Sequence, residues 1–263
     1  MVQIQIVSDL HLEASFEYDI YQLDPTAPYL ALLGDIGNTQ DSALFRFLER
    51  ILKQYEIVFY VAGNHEPYHS SWNSTHALLT AFGQMVNNKL AGAGSGRFIY
   101  LNQRRFDLTN DVTILGCVLF SAIDPNQSSN VSATLNDFYH TEDWSVANHC
   151  AAHQSDLAWL KTQVLRIGSL EPHRKIVILT HYCPTFAAQN PIYRDSNFIS
   201  AYVTEVSRED FYRLEQVKVW AFGHTHFNFD GVEGGTGKRL VSNQRGSFSS
   251  QAGGFDPGKV IDV

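Results

Sequence analysis

The sequence predicts an α/β fold, on three observations. Short apolar runs rich in β-branched and aromatic residues recur along the chain, segments of helical period lie between them, and polar side chains gather where the runs end. The runs are 2–8 (VQIQIVS), 29–35 (YLALLGD), 56–63 (EIVFYVAG), 112–120 (VTILGCVLF), 174–181 (RKIVILTH) and 217–224 (VKVWAFGH). Each has the length of a buried strand. Between them, 41–55 carries apolar residues at 44, 45, 47, 48, 51 and 52, one face of an amphipathic helix with Asp41 or Ser42 as its cap. Segments 71–90 and roughly 150–167 read as further helices, and the last 35 residues as a β-hairpin with a Gly-rich turn. Strand–helix alternation implies layers around a mainly parallel or mixed sheet.

The 263 residues are enough for a full core, and no linker, repeat or low-complexity block divides them. Residues 1–263 therefore read as one domain. The stretch 121–149 is polar and reads as an irregular excursion, a possible lid.

Composition narrows the class. A hydrophobic content of 44% with 17% charged residues is that of a globular protein. No apolar run approaches the ~18–20 residues of a membrane span, and no basic leader or cleavage site opens the chain. Cys117, Cys150 and Cys183 are odd in number and form no CxxC, which argues against a disulfide framework and for a reducing compartment. The expectation is a cytoplasmic protein, in which the Asn-x-Ser/Thr triplets at Asn73, Asn126 and Asn130 are chance. A net charge of −8 with no basic run speaks against nonspecific duplex nucleic-acid binding. A small anionic substrate stays compatible, because bound divalent cations supply local positive charge.

The polar strand ends carry the chemistry. Asp9 and His11 follow the first run, Asp35 ends the second, and Asn64, His65 and Glu66 follow the third. His181 ends the 174–181 run, while His224 and His226 end the 217–224 run. Open α/β sheets place ligand sites at such carboxyl ends. Glycines precede Asp35, Asn64 and His224, where the backbone must turn sharply or approach closely. Singly, each motif has a plain structural reading as a turn or a packed histidine. Jointly, the seven side chains Asp9, His11, Asp35, Asn64, His181, His224 and His226 form an oxygen and nitrogen donor set. That is too many for one tetrahedral zinc and suits two ions sharing a bridging carboxylate. No thiolate lies in a motif, which disfavours structural zinc or an iron–sulfur cluster. Mixed donors fit Mn²⁺, Fe or Zn²⁺, and two such ions can hold the attacked and leaving oxygens of a phosphoryl group.

In that order, DLH (9–11), GDIGN (34–38), GNHE (63–66), TH (180–181) and GHTH (223–226) resemble the motifs of the calcineurin-like metallophosphoesterase superfamily. The resemblance implies a four-layer α/β/β/α sandwich with two metals at the sheet edges. It assigns Asp9, His11 and His226 to one ion, Asn64, His181 and His224 to the other, and Asp35 to both. Thr225 then spaces His224 and His226 so that they reach different ions. It also implies hydrolysis of a small phosphate ester by a hydroxide held between the ions, with Asp35 and Asn64 in the catalytic centre and His65 protonating the leaving oxygen. Cyclic-nucleotide or other phosphodiester hydrolysis is the neighbouring alternative, and a catalytically silent scaffold the more distant one. Metallo-β-lactamases (HxHxDH) fit worse, since Asn228 breaks the pattern and no His follows Asp230. Amidohydrolase barrels also fit worse, because their HxH lies near the first strand.

One departure is informative. Ser/Thr phosphoprotein phosphatases continue GDxVDRG, whereas this chain reads GDIGNT, with Asn38 in place of the second Asp and no Arg after it. This places the chain outside that branch, among phosphoesterases of small substrates, with THYCPT, NDF and SNQRG as further family-like stretches. His65 is left either a weaker acid or dependent on another carboxylate. Other residues have two readings each. Glu66 is a partner of the site or a turn residue, and His69, His140, His149 and His153 line an entrance or pack. Arg194 and Arg245 contact phosphate or form surface ion pairs. Phe138, Tyr139 and Trp144 stack on an aromatic leaving group or pin the excursion to the core.

Overall fold

The computed structural model describes residues 1–89, 95–247 and 250–263. Its strands are β1 (Gln3–Val7), β2 (Tyr29–Leu33), β3 (Ile57–Val61), β4 (Arg97–Tyr100), β5 (Arg104–Asp107), β6 (Val112–Gly116), β7 (Lys175–Leu179), β8 (Val217–Phe222), β9 (Asp230–Val232), β10 (Arg239–Ser242), β11 (Gly246–Ser247), β12 (Ser250–Gln251) and β13 (Val260–Asp262). The helices are α1 (Leu12–Ser15), α2 (Ser42–Ile51), α3 (Trp72–Lys89), α4 (Ser128–Thr134), α5 (Asp137–His140) and α6 (Val146–Leu170).

Two mixed sheets form the centre. One has the order β13-β1-β2-β3-β4, parallel except for β13. The other has the order β5-β6-β7-β8-β10-β9, parallel except for its two edges. Side chains alternate across a strand, so each sheet has two apolar faces to cover. Ile4, Ile6, Leu33, Phe59 and Val61 of the first sheet share a buried cluster with Ile114, Val177, Leu179 and Val219 of the second. The opposite faces cluster with helices: Leu30, Leu32 and Val58 with Phe47 and Leu48 of α2 and Leu79 of α3, and Ile176, Ile178 and Trp220 with Leu160 and Val164 of α6. The result is helix, sheet, sheet, helix.

The differences from expectation have local causes. The 112–120 run pairs only to Gly116, because Leu119 (φ 76°) and Phe120 (φ 48°) take left-handed backbone that cannot continue a strand. Helix α6 begins at Val146, earlier than the roughly 150 expected, where Ser145 caps it by accepting the Asn148 N–H. Where irregular chain was expected in 121–149, the short helices α4 and α5 form. Their apolar content is sparse, but Ile123, Val131 and Leu135 close on Ala201 as a small core of their own. The C-terminal hairpin is β9–β10, closed by the Glu233 N–H donating to Lys238 O. Residue 90 of the expected helix 71–90, and 248–249 of the expected hairpin region, lie outside the described residues. Among the described residues, no helix is long and apolar enough to cross a membrane.

The hairpin buries a lysine. Lys238 is 0% exposed, donates from Nζ to Tyr212 O, and lies 4.2 Å from the Tyr212 ring centre. Burial lowers its pKa from 10.5 to about 8. Because the folded value is the lower one, the unfolded chain binds more protons between pH 8 and 10.5, and stability rises with pH through that window. Denaturant unfolding at pH 7 and 9 should show a gain of about 1 kcal/mol at the higher pH, and Lys238→Met should abolish it.

Candidate metal centre

The parallel strands of both sheets point their carboxyl ends at one edge. There β1 delivers Asp9 and His11, β2 delivers Asp35, β3 delivers Asn64 and His65, β7 delivers His181, and β8 delivers His224 and His226. Backbone bonds stitch these ends together: the Asp9 N–H donates to Gly34 O (2.9 Å), that of His11 to Asp35 O (2.9 Å), and that of Gly223 to His181 O (2.8 Å). Asp9, His11, Asp35, His224 and His226 all have positive φ, between 48° and 72°. Non-glycine residues adopt this conformation at a cost of ~1–3 kcal/mol each, and only where their surroundings hold them there. Here it breaks each strand abruptly. Two glycines make the approach possible. Gly34 has φ +88°, and a Cβ on it would strike the His181 imidazole, while a Cβ on Gly63 would strike the Asp35 carboxylate.

The expected donors fall into two groups. Asp9, His11 and His226 offer ligand atoms within 4.8 Å of one another, and so do Asp35, His181 and His224. Asp35 reaches both, with Oδ2 3.8 Å from His11 Nε2 and Oδ1 3.5 Å from His181 Nε2. His224 and His226, adjacent but for Thr225, sit in different groups. Asn64 joins the second through Oδ1, 3.1 Å from His181 Nε2.

The protonation pattern tests whether cations suit this arrangement. His181 donates Nδ1–H to Leu33 O (2.8 Å), so its Nε2 carries a lone pair when the ring is neutral. Asn64 donates Nδ2–H to Asp137 Oδ1 (2.8 Å), so its other amide atom is the oxygen. Lone pair therefore faces lone pair between His181 and Asn64. His11, donating Nδ1–H to Glu13, sets its Nε2 3.1 Å from His226 Nε2, which in turn lies 3.3 Å from Asp9 Oδ1, so three donor atoms converge there. His224 Nε2 is buried with no partner. Donors sharing an ion at ~2.1 Å bond lengths stand ~3 Å apart, so the residues fit two metal ions.

Electrostatics agree. Burial opposes ionisation of Asp9, yet the bond from His226 and the fields of His226, His181 and His11 hold its carboxyl below the usual range. Burial, aided by the His181 ring, keeps His224 neutral, its pKa well below the imidazole norm. For His65, burial opposes the charged ring, but Asp35 and the Glu13 bond raise it to about 10. His65 also donates its backbone N–H to Asp35 Oδ1 (2.9 Å) and stacks on Tyr68.

Glu66 resolves as a partner of the site. It is 0% exposed, and its carboxylate accepts from the N–H groups of Asp35 (3.0 Å), Ile36 (2.9 Å) and Gly63 (2.7 Å) and from Tyr60 Oη (2.7 Å). Two contributors went unmarked in the sequence reading of roles: Glu13, hydrogen-bonded to His65, and Asp137, which orients the Asn64 amide. Asp137 lies in the NDF stretch, so that signal was present. Glu13 lies two residues after DLH and had none beyond its charge. His149 and His153 are buried packing residues: His149 Nε2 accepts from Ser121 N, and His153 Nδ1 donates to Leu119 O. Trp144 packs on Trp72 and Phe120, pinning the excursion, and Tyr139 is exposed.

A cleft of ≈ 850 Å³ opens on the centre, lined by Asp35, Asn64, His65, His224 and His226. Its walls add amides (Gln189, Asn190, Asn228) and aromatic rings (Tyr193, Phe198, Tyr202). Among the described residues, no Lys or Arg lines it. Arg245 is engaged with Glu17 (2.7 Å) and Leu10 O, and Arg194 is not part of the wall.

The class is thus an α/β sandwich of two mixed sheets with His/Asp groups gathered at its strand ends. Residues 2–228 match the family model for calcineurin-like phosphoesterases, and the chain belongs to that family. It is 26% identical over 290 residues to an uncharacterized protein, L509, of Acanthamoeba polyphaga mimivirus, covering 99% of this chain and 96% of the relative. In fold it is similar to the phosphopantetheinyl hydrolase PptH from Mycobacterium tuberculosis, with TM-score 0.65 and 14% identity over 93% of this chain and 89% of that one. It is also similar to a dimetal phosphatase from Danio rerio, with TM-score 0.55 and 14% identity over 92% and 87% of the two chains.

Glu66→Gln would turn an N–H₂ toward backbone donors that now share a carboxylate. With ~1–3 kcal/mol lost per buried donor left unpaired, denaturant unfolding should show a loss of roughly 2–4 kcal/mol.

Proposed function

We propose that this chain hydrolyses a small phosphate ester with two transition-metal ions, Mn, Fe or Zn, held at the strand ends. The observation that carries this reading is the lone-pair confrontation at His181–Asn64 and the unpartnered His224 Nε2, with His11 and His226 converging on Asp9 in the other group. Asp9, His11 and His226 would hold one ion, Asn64, His181 and His224 the other, and Asp35 would serve both through its two oxygens. Bound there, the ions supply Lewis acidity toward a phosphoryl oxygen and a water of lowered pKa.

His65 acts as the general acid. Its Nδ1 is committed to Glu13, which leaves Nε2 as the nitrogen available to the cleft that His65 lines. Water oxygen bonds to phosphorus, the ester P–O bond breaks with its electron pair on the leaving oxygen, and that oxygen takes the His65 proton. The water's surplus proton goes to solvent, which also reprotonates the ring. The uncharged amide and aromatic walls suit an organic group without further negative charge, and their size admits a phosphodiester as well as a monoester.

Elemental analysis of protein purified without chelator should find close to two transition-metal ions per chain; none after Mn²⁺ soaking would refute the dinuclear reading. In Mn²⁺, a turnover panel of aryl monoesters, bis-aryl diesters and cyclic nucleotides should show hydrolysis of at least one class, removed by chelation and restored by metal. His65→Asn should keep its metal and lose ~10²–10⁴-fold in kcat on poor leaving groups. An unchanged rate there would remove the acid role.

A further inference from the structure

The proposed acid needs its Nδ1–H held, and the position where GDIGNT departs from GDxVDRG does not hold it. Asn38 is buried and committed elsewhere: Nδ2 donates to Tyr68 O (2.8 Å), and Oδ1 accepts from Gln40 N (2.7 Å). The carboxylate that meets His65 is Glu13. Its Oε1 accepts from His65 Nδ1 (3.1 Å) and also from His11 Nδ1 (3.2 Å), while Oε2 is buried with no partner. The two rings stand edge to face, with centroids 4.5 Å apart. A buried carboxylate oxygen without a donor is costly.

The local fold explains why Glu13 stands there. Helix α1 is a single turn that starts directly after His11, whose φ of 48° bends the chain so that the Glu13 carboxylate comes back to His11 Nδ1. The turn is pinned by Leu12, 0% exposed, whose N–H donates to Ile36 O (3.1 Å), one residue beyond Asp35.

We propose that Glu13 is a positioning residue serving two imidazoles at once, fixing His11 as a ligand and His65 as the acid through one shared oxygen. With Nδ1–H of both rings held by Oε1, each presents Nε2: that of His11 toward Asp9, Asp35 and His226, and that of His65 for the substrate. Carboxylates behind ligating histidines set ring orientation and basicity, and their loss typically costs 10–100-fold in metal affinity. Here the same oxygen also places the acid, so occupancy of the first metal position and proton delivery share one support. This rests on the phosphoesterase reading above.

The test compares wild type, Glu13→Ala and Glu13→Gln. Titration of metal-free protein with Zn²⁺ should show one of two binding steps weakened about 10–100-fold in Glu13→Ala and the other retained. In saturating Mn²⁺, its kcat on an alkyl phosphate should fall about 10²-fold, and on p-nitrophenyl phosphate, whose leaving group needs no proton, far less. Glu13→Gln keeps an accepting oxygen and should recover part of both losses. Imidazole ¹⁵N spectra of the neutral His65 ring, recorded at alkaline pH, should show the Nδ1–H tautomer in wild type and a mixture of tautomers in Glu13→Ala. Unchanged Zn²⁺ binding, or equal losses on the two esters, would overturn the shared role. A wild type inactive on every ester would refute the phosphoesterase reading instead, leaving Zn²⁺ binding and the ¹⁵N spectra to judge Glu13.

Discussion

The site depends on one buried carboxylate. Glu66 gathers backbone N–H groups from the turns after β2 and β3, with the Tyr60 hydroxyl as a fourth donor. Those turns carry Asp35 and Asn64. Burial and the Asp35 charge push the Glu66 carboxyl up to about 7, while the donors favour its charged form. Without an acceptor there, N–H groups at the inner ends of two strands would be left without water or partner, and such groups cost enough to reshape a loop. Glu66 thereby clamps the neighbouring turns that present the carboxylate and the amide.

A second constraint is that the centre concentrates groups that repel or waste one another. Three acidic side chains and several imidazoles share a small buried volume, with lone pairs opposed between His181 and Asn64 and the His224 Nε2 left without a partner. Left-handed backbone at five of these residues adds strain. An apolar replacement would be cheaper, so the arrangement makes physical sense as a receptacle for cations, which turn each opposed lone pair into a bond. Membership of the calcineurin-like phosphoesterase family accords with that logic.

The excursion contributes from the outside. Asp137 of α5 accepts from Asn64 Nδ2 and from Tyr68 Oη (2.6 Å), so a residue far along the chain sets which amide atom faces the centre. It reaches that place because α6 braces the end of β6. His153 Nδ1 donates to Leu119 O, Asp156 Oδ2 accepts from Leu119 N (2.7 Å), and His149 takes Ser121. These buried polar groups support the left-handed Leu119 and Phe120, from which the chain departs toward α4 and α5.

Much of this is written locally. Strands such as IVFYV and KIVIL are buried through most of their length, so their apolar runs announce them, and DLH, GNHE and GHTH mark where they end. Strands such as RRFD and VID lack that signal, because as short edge strands they need apolar residues on one face at most. The polar stretch 121–149 hid α4 and α5 because their stability comes from contacts with Ala201 and its neighbours, distant in sequence. The candidate donors could be picked out along the chain because each sits at a strand end with its own turn glycine or flanking polar residue. Which polar side chain holds His65 could not be read that way. Asn38 and Glu13 are both polar and both near a motif, and the choice rests on the bend at His11, which carries one toward the imidazole while Tyr68 O draws the other away. Residue type and spacing specify which atoms can bind a metal, whereas the direction of a hydrogen bond is settled only when separate strand ends are brought within 3 Å or so of each other.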